Sequence, residues 1–496
     1  MPVPVRPLSV PVAAIALLLV LAVLPAVAQD APALDLAIVN VRVVDVAAGA
    51  ALEGRTVLVR DGEIVDIRPA RPGDDSLAAA TLDGAGGWLI PGLWDMHAHL
   101  RASGLPAWIG TDWMMPLLLA HGVTGARDMA SDCDDPGQGP VCLAEMRDWQ
   151  ERIARGDLMG PRIVALSSFP LNPPWDYEIT EEQVGQVVGK LAERGVTHLK
   201  IYDRLAPEAL DWILDAAAER GIAAWGHVPL RMTAAEASDA GFRSIEHARD
   251  FLFDCYPGSA AFRATTRSNV APVEEMRAMV ERHDPAVCEA EFRALVRNGT
   301  AYVPTHVTRR MEAFAGDSAF RHDPRVRTVP AWVLESWKED ADRVVARDST
   351  PEGRAAYRAF YEKGLEITGA AHAAGVRVLV GTDGGDSFAF PGSGLHDELA
   401  ELVKAGLTPA EALRAATSSP AEFLGLAERH GTVEVGKRAD LVLLHGNPLD
   451  DIENVRRIRA VVFRGETLDR ARLDGLLRQA AAAAARPLDA ESPAAH

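Results

Sequence analysis

The chain is poor in cysteine: it has four in 496 residues, none in the C-x-x-C spacing of a structural zinc knuckle. It has no heptad pattern, no internal repeat and no long block of like charge. Basic residues are outnumbered, 51 Lys and Arg against 70 Asp and Glu, for a formal net charge of −19. That balance argues against nucleic acid and anionic membranes as partners and favours solubility. A G-x-G-x-x-G after a first strand is also missing, which weighs against a dinucleotide-binding open sheet. The length suits one domain of roughly 200 to 350 residues and a smaller one.

Residues 1–28 read as a signal peptide. Arg6 supplies a weak positive start, AAIALLLVLAVL an apolar core, and Ala26-Val27-Ala28 a small-x-small cleavage site before Gln29. The apolar core is short for a membrane span, and no cysteine follows it to carry a lipid. The expectation is export to a periplasm or the medium, with cleavage near Ala28 and no stable membrane association. An oxidising destination permits disulfides. Four cysteines allow three connectivities. The nearest-neighbour pairing joins Cys133 to Cys142 across DDPGQGPV, and Cys255 to Cys288 across a longer insertion.

Beyond Trp88, apolar β-branched runs alternate with helical stretches. WLIPGLWDMH, GVTGARDM, PRIVALSS, GVTHLKIY, GIAAWGHV, FRSIEHA, AYVPTHV and GVRVLVGTD make eight. TEEQ at 180–183, TAAE at 233–236 and TPAE at 408–411 are capping boxes. Gly195, Gly221, Gly241 and Gly406 stand where helices end in a left-handed residue. The alternation predicts an α/β chain with a (β/α)8 TIM barrel over residues 91–431. Residues 30–90 and 432–466 are short alternating strands, with a hairpin signal at Asp61-Gly62. Either block alone would leave unpaired edges, so both chain ends are expected to build one small β-sandwich domain. Residues 467–496 read as an Ala/Arg-rich helix and a tail.

Chemistry in such a barrel gathers at the C-terminal ends of the strands. His97 and His99 end the first strand in GLWDMHAHL. At i and i+2 of a strand they point the same way, and two converging imidazoles make half of a divalent-metal site. An isolated H-x-H is more often a pair of polar residues at a strand end. Here Lys200 ends the fourth strand, His227 the fifth, His247 the sixth and Asp383 the eighth. The joint pattern at one mouth reverses the odds.

This set resembles the amidohydrolase superfamily of metal-dependent hydrolases. GLWDMHAHL, THLKIY, AWGHVP, SIEHA and VGTDGG carry the likeness, and PGLWDMHAH with ADLVLLHGNPL is similar to the imidazolonepropionase-like and Xaa-Pro dipeptidase-like branch. The resemblance implies one or two divalent metal ions, zinc first among them. His97, His99 and Asp383 would hold one, His227 and His247 the other, with Lys200 between. A free ammonium cannot ligate a cation, so Lys200 would act as a carbamate formed with carbon dioxide. The other reading is an ordinary lysine paired with Asp203 or Asp383 beside a single metal.

The implied reaction is hydrolysis of an amide-type C–N bond in a small molecule by a metal-activated hydroxide, with Asp383 moving the proton. A dipeptide, an N-acyl amino acid and a cyclic amide all fit. A lactonase or phosphotriesterase would use the same site, and a non-catalytic metal-binding protein on this fold would be expected to have lost a ligand. His306 in VPTHV either contacts substrate or packs, and His396 in PGSGLHDEL is a second candidate for substrate contact. Asp95 is placed to support His97. Arg309 and Arg310 either receive a carboxylate or, the favoured reading, belong to a solvated loop, and Tyr202 and Tyr256 carry no assignment beyond proximity. A homo-oligomer is compatible with this reading.

Overall fold

The computed structural model describes residue 1 and residues 33–100, 105–132, 141–172 and 179–488. The leader expected over residues 1–28 (its first residue apart), Cys133 and the end of the tail lie outside the described residues. β1 (Leu34–Asp45), β2 (Ala50–Arg60) and β3 (Glu63–Pro69) form an antiparallel meander. Its second turn is at Asp61-Gly62, where both residues take positive φ as a tight hairpin demands. β4 (Ala78–Pro91) then runs parallel to β1.

The run WLIPGLWDMH, expected as one strand, is divided. β4 ends at Pro91, and β5 (Leu93–Ala98) starts in a different sheet. The break is at Gly92, whose N–H donates to Asp440 while that of Leu93 donates to Gly122. A Cβ at Gly92 would collide with the Thr124 side chain, so only glycine permits this approach. β5, β6 (Val123–Asp128) and β7 (Arg162–Ala165) form a parallel sheet. β8 (His198–Ile201), β9 (Ala223–Gly226), β10 (Ser244–Glu246) and β11 (Ala301–Val303) form another.

Parallel bridges join Ser167 to His198, Tyr302 to Val378, and Ala98 to Gly384. The parallel links therefore pass through the segment 377–384 and return to β5. GVRVLVGTD was expected there as a regular strand. It is extended but interrupted, because the N–H of Val380 donates to Ala415 rather than to a flanking strand. The three expected capping boxes are formed at Thr180, Thr233 and Thr408. The chain between Arg249 and Asn298 folds as four helices, Arg249–Asp254, Ser259–Thr265, Val273–Glu281 and Pro285–Asn298.

β12 (Leu441–Leu444) pairs antiparallel with β4 and with β13 (Ile458–Phe463), and β14 (Glu466–Leu468) follows. Both chain ends thus share one seven-stranded sheet, in the order β14-β13-β12-β4-β1-β2-β3. Alternation along β12 divides its burial. Leu441 and Leu443 join Leu36, Ile38, Val57 and Val59 in a core of the sheet's own, while Val442 and Leu444 join the main core. Arg162 of β7 is ion-paired with Asp440 at 2.6 Å, pinning the two regions at the same edge. The chain closes with the helix Arg470–Ala484, and among the described residues no helix is long and apolar enough to cross a membrane.

Cys255 is bonded to Cys288, and Cys142 is also disulfide-bonded. The Cys255–Cys288 bond closes a 33-residue separation around the helical insertion. Cys288→Ser should therefore lower unfolding stability by about 2–4 kcal/mol, read from the urea midpoint of oxidised protein. An unchanged midpoint would mean the bond contributes nothing to the folded state.

Candidate metal centre

The ends of the parallel strands bring all six expected ligands into one network of contacts. His97 lies on β5 and Lys200 on β8, while His227 and His247 directly follow β9 and β10. Asp383 ends the 377–384 segment, where Gly381 allows close approach: a Cβ there would lie 2.8 Å from that of His97. Asp383 Oδ1 is 2.8 Å from His99 Nε2 and 3.4 Å from His97 Nε2. His97 Nε2 is 3.3 Å from Lys200 Nζ, and His247 Nε2 is 3.0 Å from His227 Nε2. Ligand atoms of His97, His247 and Asp383 all lie within 4.8 Å of one another.

The hydrogen bond behind His97 fits that imidazole to a divalent ion, whereas Arg249 donating to His227 Nδ1 leaves the proton of neutral His227 on Nε2, turned toward His247. Glu246 Oε2 accepts from His97 Nδ1 at 2.8 Å, which leaves the Nε2 lone pair turned into the cluster. A carboxylate behind a histidine sets its tautomer for ligation in just this way. Glu246 is held in turn by Arg127, whose Nη2 donates at 2.7 Å. Asp95 accepts from the His97 N–H at 3.1 Å and the Thr382 N–H at 3.0 Å, locking β5 to the segment carrying Asp383. Burial and the Lys200 charge push His97 down to about 4, and burial with the Arg249 charge pushes His227 and His247 well below the usual histidine range. All three imidazoles are therefore neutral at pH 7, the state a metal requires. Burial lowers Lys200 to about 8. Burial opposes ionisation of Asp383, yet His97 and His99 hold it well below the usual carboxylate range.

Backbone strain concentrates at the same place. His247 (φ 75), Asp383 (φ 59) and Thr305 (φ 46) all occupy the left-handed region at strand ends. For β-branched Thr305 this is the least natural, and its Oγ1 is thereby set 2.8 Å from His247 Nδ1.

Four residues at the site were not assigned a role from sequence. Glu246 and Arg127 are one pair. Arg249, 5 % exposed, donates from Nη2 to His227 Nδ1 at 2.9 Å. The Tyr202 ring lies 3.8 Å from the His227 ring. The residue adjoining each strand-end histidine was the available signal for Glu246, and the position two beyond His247 for Arg249. A cavity of about 460 Å³ opens on His99, Tyr202 and Asp383, walled by Trp113, Trp332 and Trp337.

The two candidate substrate histidines point elsewhere. His306 is fully buried, with Nε2 2.9 Å from Thr368 Oγ1 and its N–H donating to Glu398. His396 Nε2 donates to the His121 carbonyl at 2.8 Å, inside the helix Ser393–Lys404. Neither lines the cavity. Arg309 and Arg310, read as a solvated loop, sit on the helix His306–Phe314 and are ion-paired, to Glu312 and to Asp397 with Glu401. Tyr256 is buried in the main core.

Parallel strands carry at their ends a cluster of histidines and a carboxylate, of which His97, His247 and Asp383 are close enough together to hold a metal ion. The amidohydrolase family model matches residues 88–468, and the chain belongs to that family, whose members generally bind divalent metals and hydrolyse carbon–nitrogen bonds. An uncharacterized protein of Mycobacterium tuberculosis is 25 % identical over 388 residues, covering 77 % of this chain and 85 % of the relative. Among solved structures, a bottromycin amidohydrolase is similar with a TM-score of 0.69 at 24 % identity, over 94 % of each chain. A prolidase-like protein from Bifidobacterium longum is similar with a TM-score of 0.60 at 24 % identity, over 90 % of this chain and 100 % of that one. These neighbours imply an α/β fold of TIM-barrel type.

Glu246→Gln keeps the shape of the His97 support but removes its charge. Divalent-metal affinity should fall about 10- to 100-fold, measured as metal retained after dialysis against graded chelator. Retention equal to wild type would show that Glu246 does not orient His97.

Proposed function

We propose that this chain is an exported metallohydrolase, with a closed (β/α)8 barrel over residues 91–431 that cleaves the amide C–N bond of a small substrate bearing a free carboxylate. Residues 30–90 and 432–466 would form its β domain, residues 467–496 a helix and tail, and residues 1–28 a cleaved leader. The observation that carries the chemistry is the cluster of His97, His247 and Asp383 with Lys200 against His97. His97, His99 and Asp383 would hold one divalent ion, zinc being the first candidate, and His227 with His247 a second, with Lys200 between as a carbamate. Such ions supply Lewis acidity toward the scissile carbonyl and lower the pKa of water toward neutrality.

The chain's own residues do the rest. Asp383 takes the proton of the attacking water and hands it to the departing nitrogen. Burial at Lys200 favours the neutral amine, the form that reacts with carbon dioxide. Arg249 stands behind His227, outside the residues that line the cavity, and is the candidate to meet a substrate carboxylate that reaches past that histidine. Its Nε is buried without a hydrogen-bond partner among the described residues, although Asp203 and Asp250 lie within its field. A guanidinium buried in this way is costly until a carboxylate meets its fork.

Purified protein should carry one to two divalent ions per chain, and Lys200→Ala should lose one together with most activity. A short carboxylic acid added to that variant should restore part of the rate, while Lys200→Arg should stay inactive. Full activity in Lys200→Arg would decide against the carbamate.

Arg249→Ala should lower kcat/KM for carboxylate-bearing amides about 100-fold and leave their carboxamide counterparts little changed. Equal losses on both would remove Arg249 from substrate recognition.

A further inference from the structure

The cavity beside Asp383 contains features that hydrolysis itself does not require. Trp113 comes from the π-helical turn Ile109–Met114, and Trp332 and Trp337 come from the helix Ala331–Arg347. Two of the indoles are fixed. Trp113 donates to the Thr328 carbonyl at 2.7 Å, and Trp337 donates to Gly385 at 3.3 Å while its ring packs on Phe388 and Phe390. Leu105, Ile109, Met114 and Val333 complete an apolar wall.

One charge in this wall has no ion-pair partner among the described residues. Asp386 is exposed into the cavity, accepts the Ser387 N–H at 2.7 Å, and makes no ion pair among the described residues. The charged groups around it are already engaged. Asp340 is ion-paired with Arg343 and hydrogen-bonded to Ser387, Arg309 is paired with Glu312, and Asp383 is bonded to His99. A lone carboxylate among indoles attracts a cation, both directly and through the ring faces.

Asp386 and Arg249 also lie on different sides of the metal cluster. Arg249 reaches His227 after β9, whereas Asp386 follows the 377–384 segment, and β10 and β11 intervene in the order of parallel links.

We infer that Asp386 is the receptor for a substrate ammonium, and that the Trp113, Trp332 and Trp337 wall takes the apolar side chain beside it. The substrate class narrows to amides that carry a free ammonium beside a bulky apolar side chain, with the ammonium on Asp386. This assignment rests on the amide-hydrolase reading above.

Calorimetric binding to the metal-loaded protein tests the pocket without turnover. 2-Phenylethylammonium should bind about ten- to a hundredfold more tightly than its neutral isostere 2-phenylethanol. Asp386→Asn should reduce that gap to about twofold or less, and Trp337→Ala should weaken both ligands. Equal binding of the two ligands to wild type, or an undiminished gap in Asp386→Asn, would overturn the inference; the wild-type comparison needs no variant to fold. Kinetics separate the two levels of the argument. Hydrolysis of N-acetyl-phenylalanine as fast as phenylalanyl-alanine would remove the ammonium requirement and leave amide hydrolysis standing. Ammonium preference with no amide cleaved at all would overturn the hydrolase reading and keep the Asp386 pocket.

Discussion

The buried ion pair of Arg127 and Glu246 is the interaction on which the centre depends. Both side chains are fully buried, and Arg127 reaches the Met96 carbonyl of β5 and Ser244 of β10 as well as Glu246. Three strands are thereby tied through one guanidinium, which also rests on the Trp225 ring. Burial alone would push the Glu246 carboxyl up, but Arg127 and His97 hold it at about 2. Removing either partner would leave a charge in a medium that cannot solvate it, a loss of about 3–5 kcal/mol. The pair is therefore a constraint on geometry more than a source of stability, and what it constrains is the direction of the His97 lone pair.

The left-handed conformations at His247, Thr305 and Asp383 belong to the same design. Each costs about 1–3 kcal/mol and persists only where the surroundings overdetermine it. Glu398 is one such surrounding: its carboxylate receives the N–H groups of His306 and Val307, fixing the turn that Thr305 makes from β11 into its helix. Asp95 is another, gripping Thr382 next to Asp383 through both backbone and hydroxyl. Side chains fixed in this way need no reorganisation when a bound group arrives.

Much of this was legible in the chain itself. The capping boxes at Thr180, Thr233 and Thr408 are contiguous signals, and each forms as read. The strand-end positions of His97, Lys200, His227, His247 and Asp383 follow from where apolar runs stop. His306 and His396 show where that logic fails. Their spacing is as good as that of His247, but burial against Thr368 and His121 turns both rings away from the cavity. The division of WLIPGLWDMH at Gly92 was equally hidden, since it depends on Thr124 and Asp440.

The sequence by itself determined the alternation of strands and helices, their caps, and which residue types stand at strand ends, because these depend on periodicity and on neighbours a few positions away. The tertiary structure decided which charges meet and which stay unpaired. Arg127 finds Glu246, 119 positions along the chain, whereas among the described residues Arg249 Nε has no hydrogen-bond partner and Asp386 no ion pair. Trp113 joins Trp332 and Trp337 in one wall. Such pairings arise from burial and from the loss of water around each group, and spacing along a chain carries no record of either.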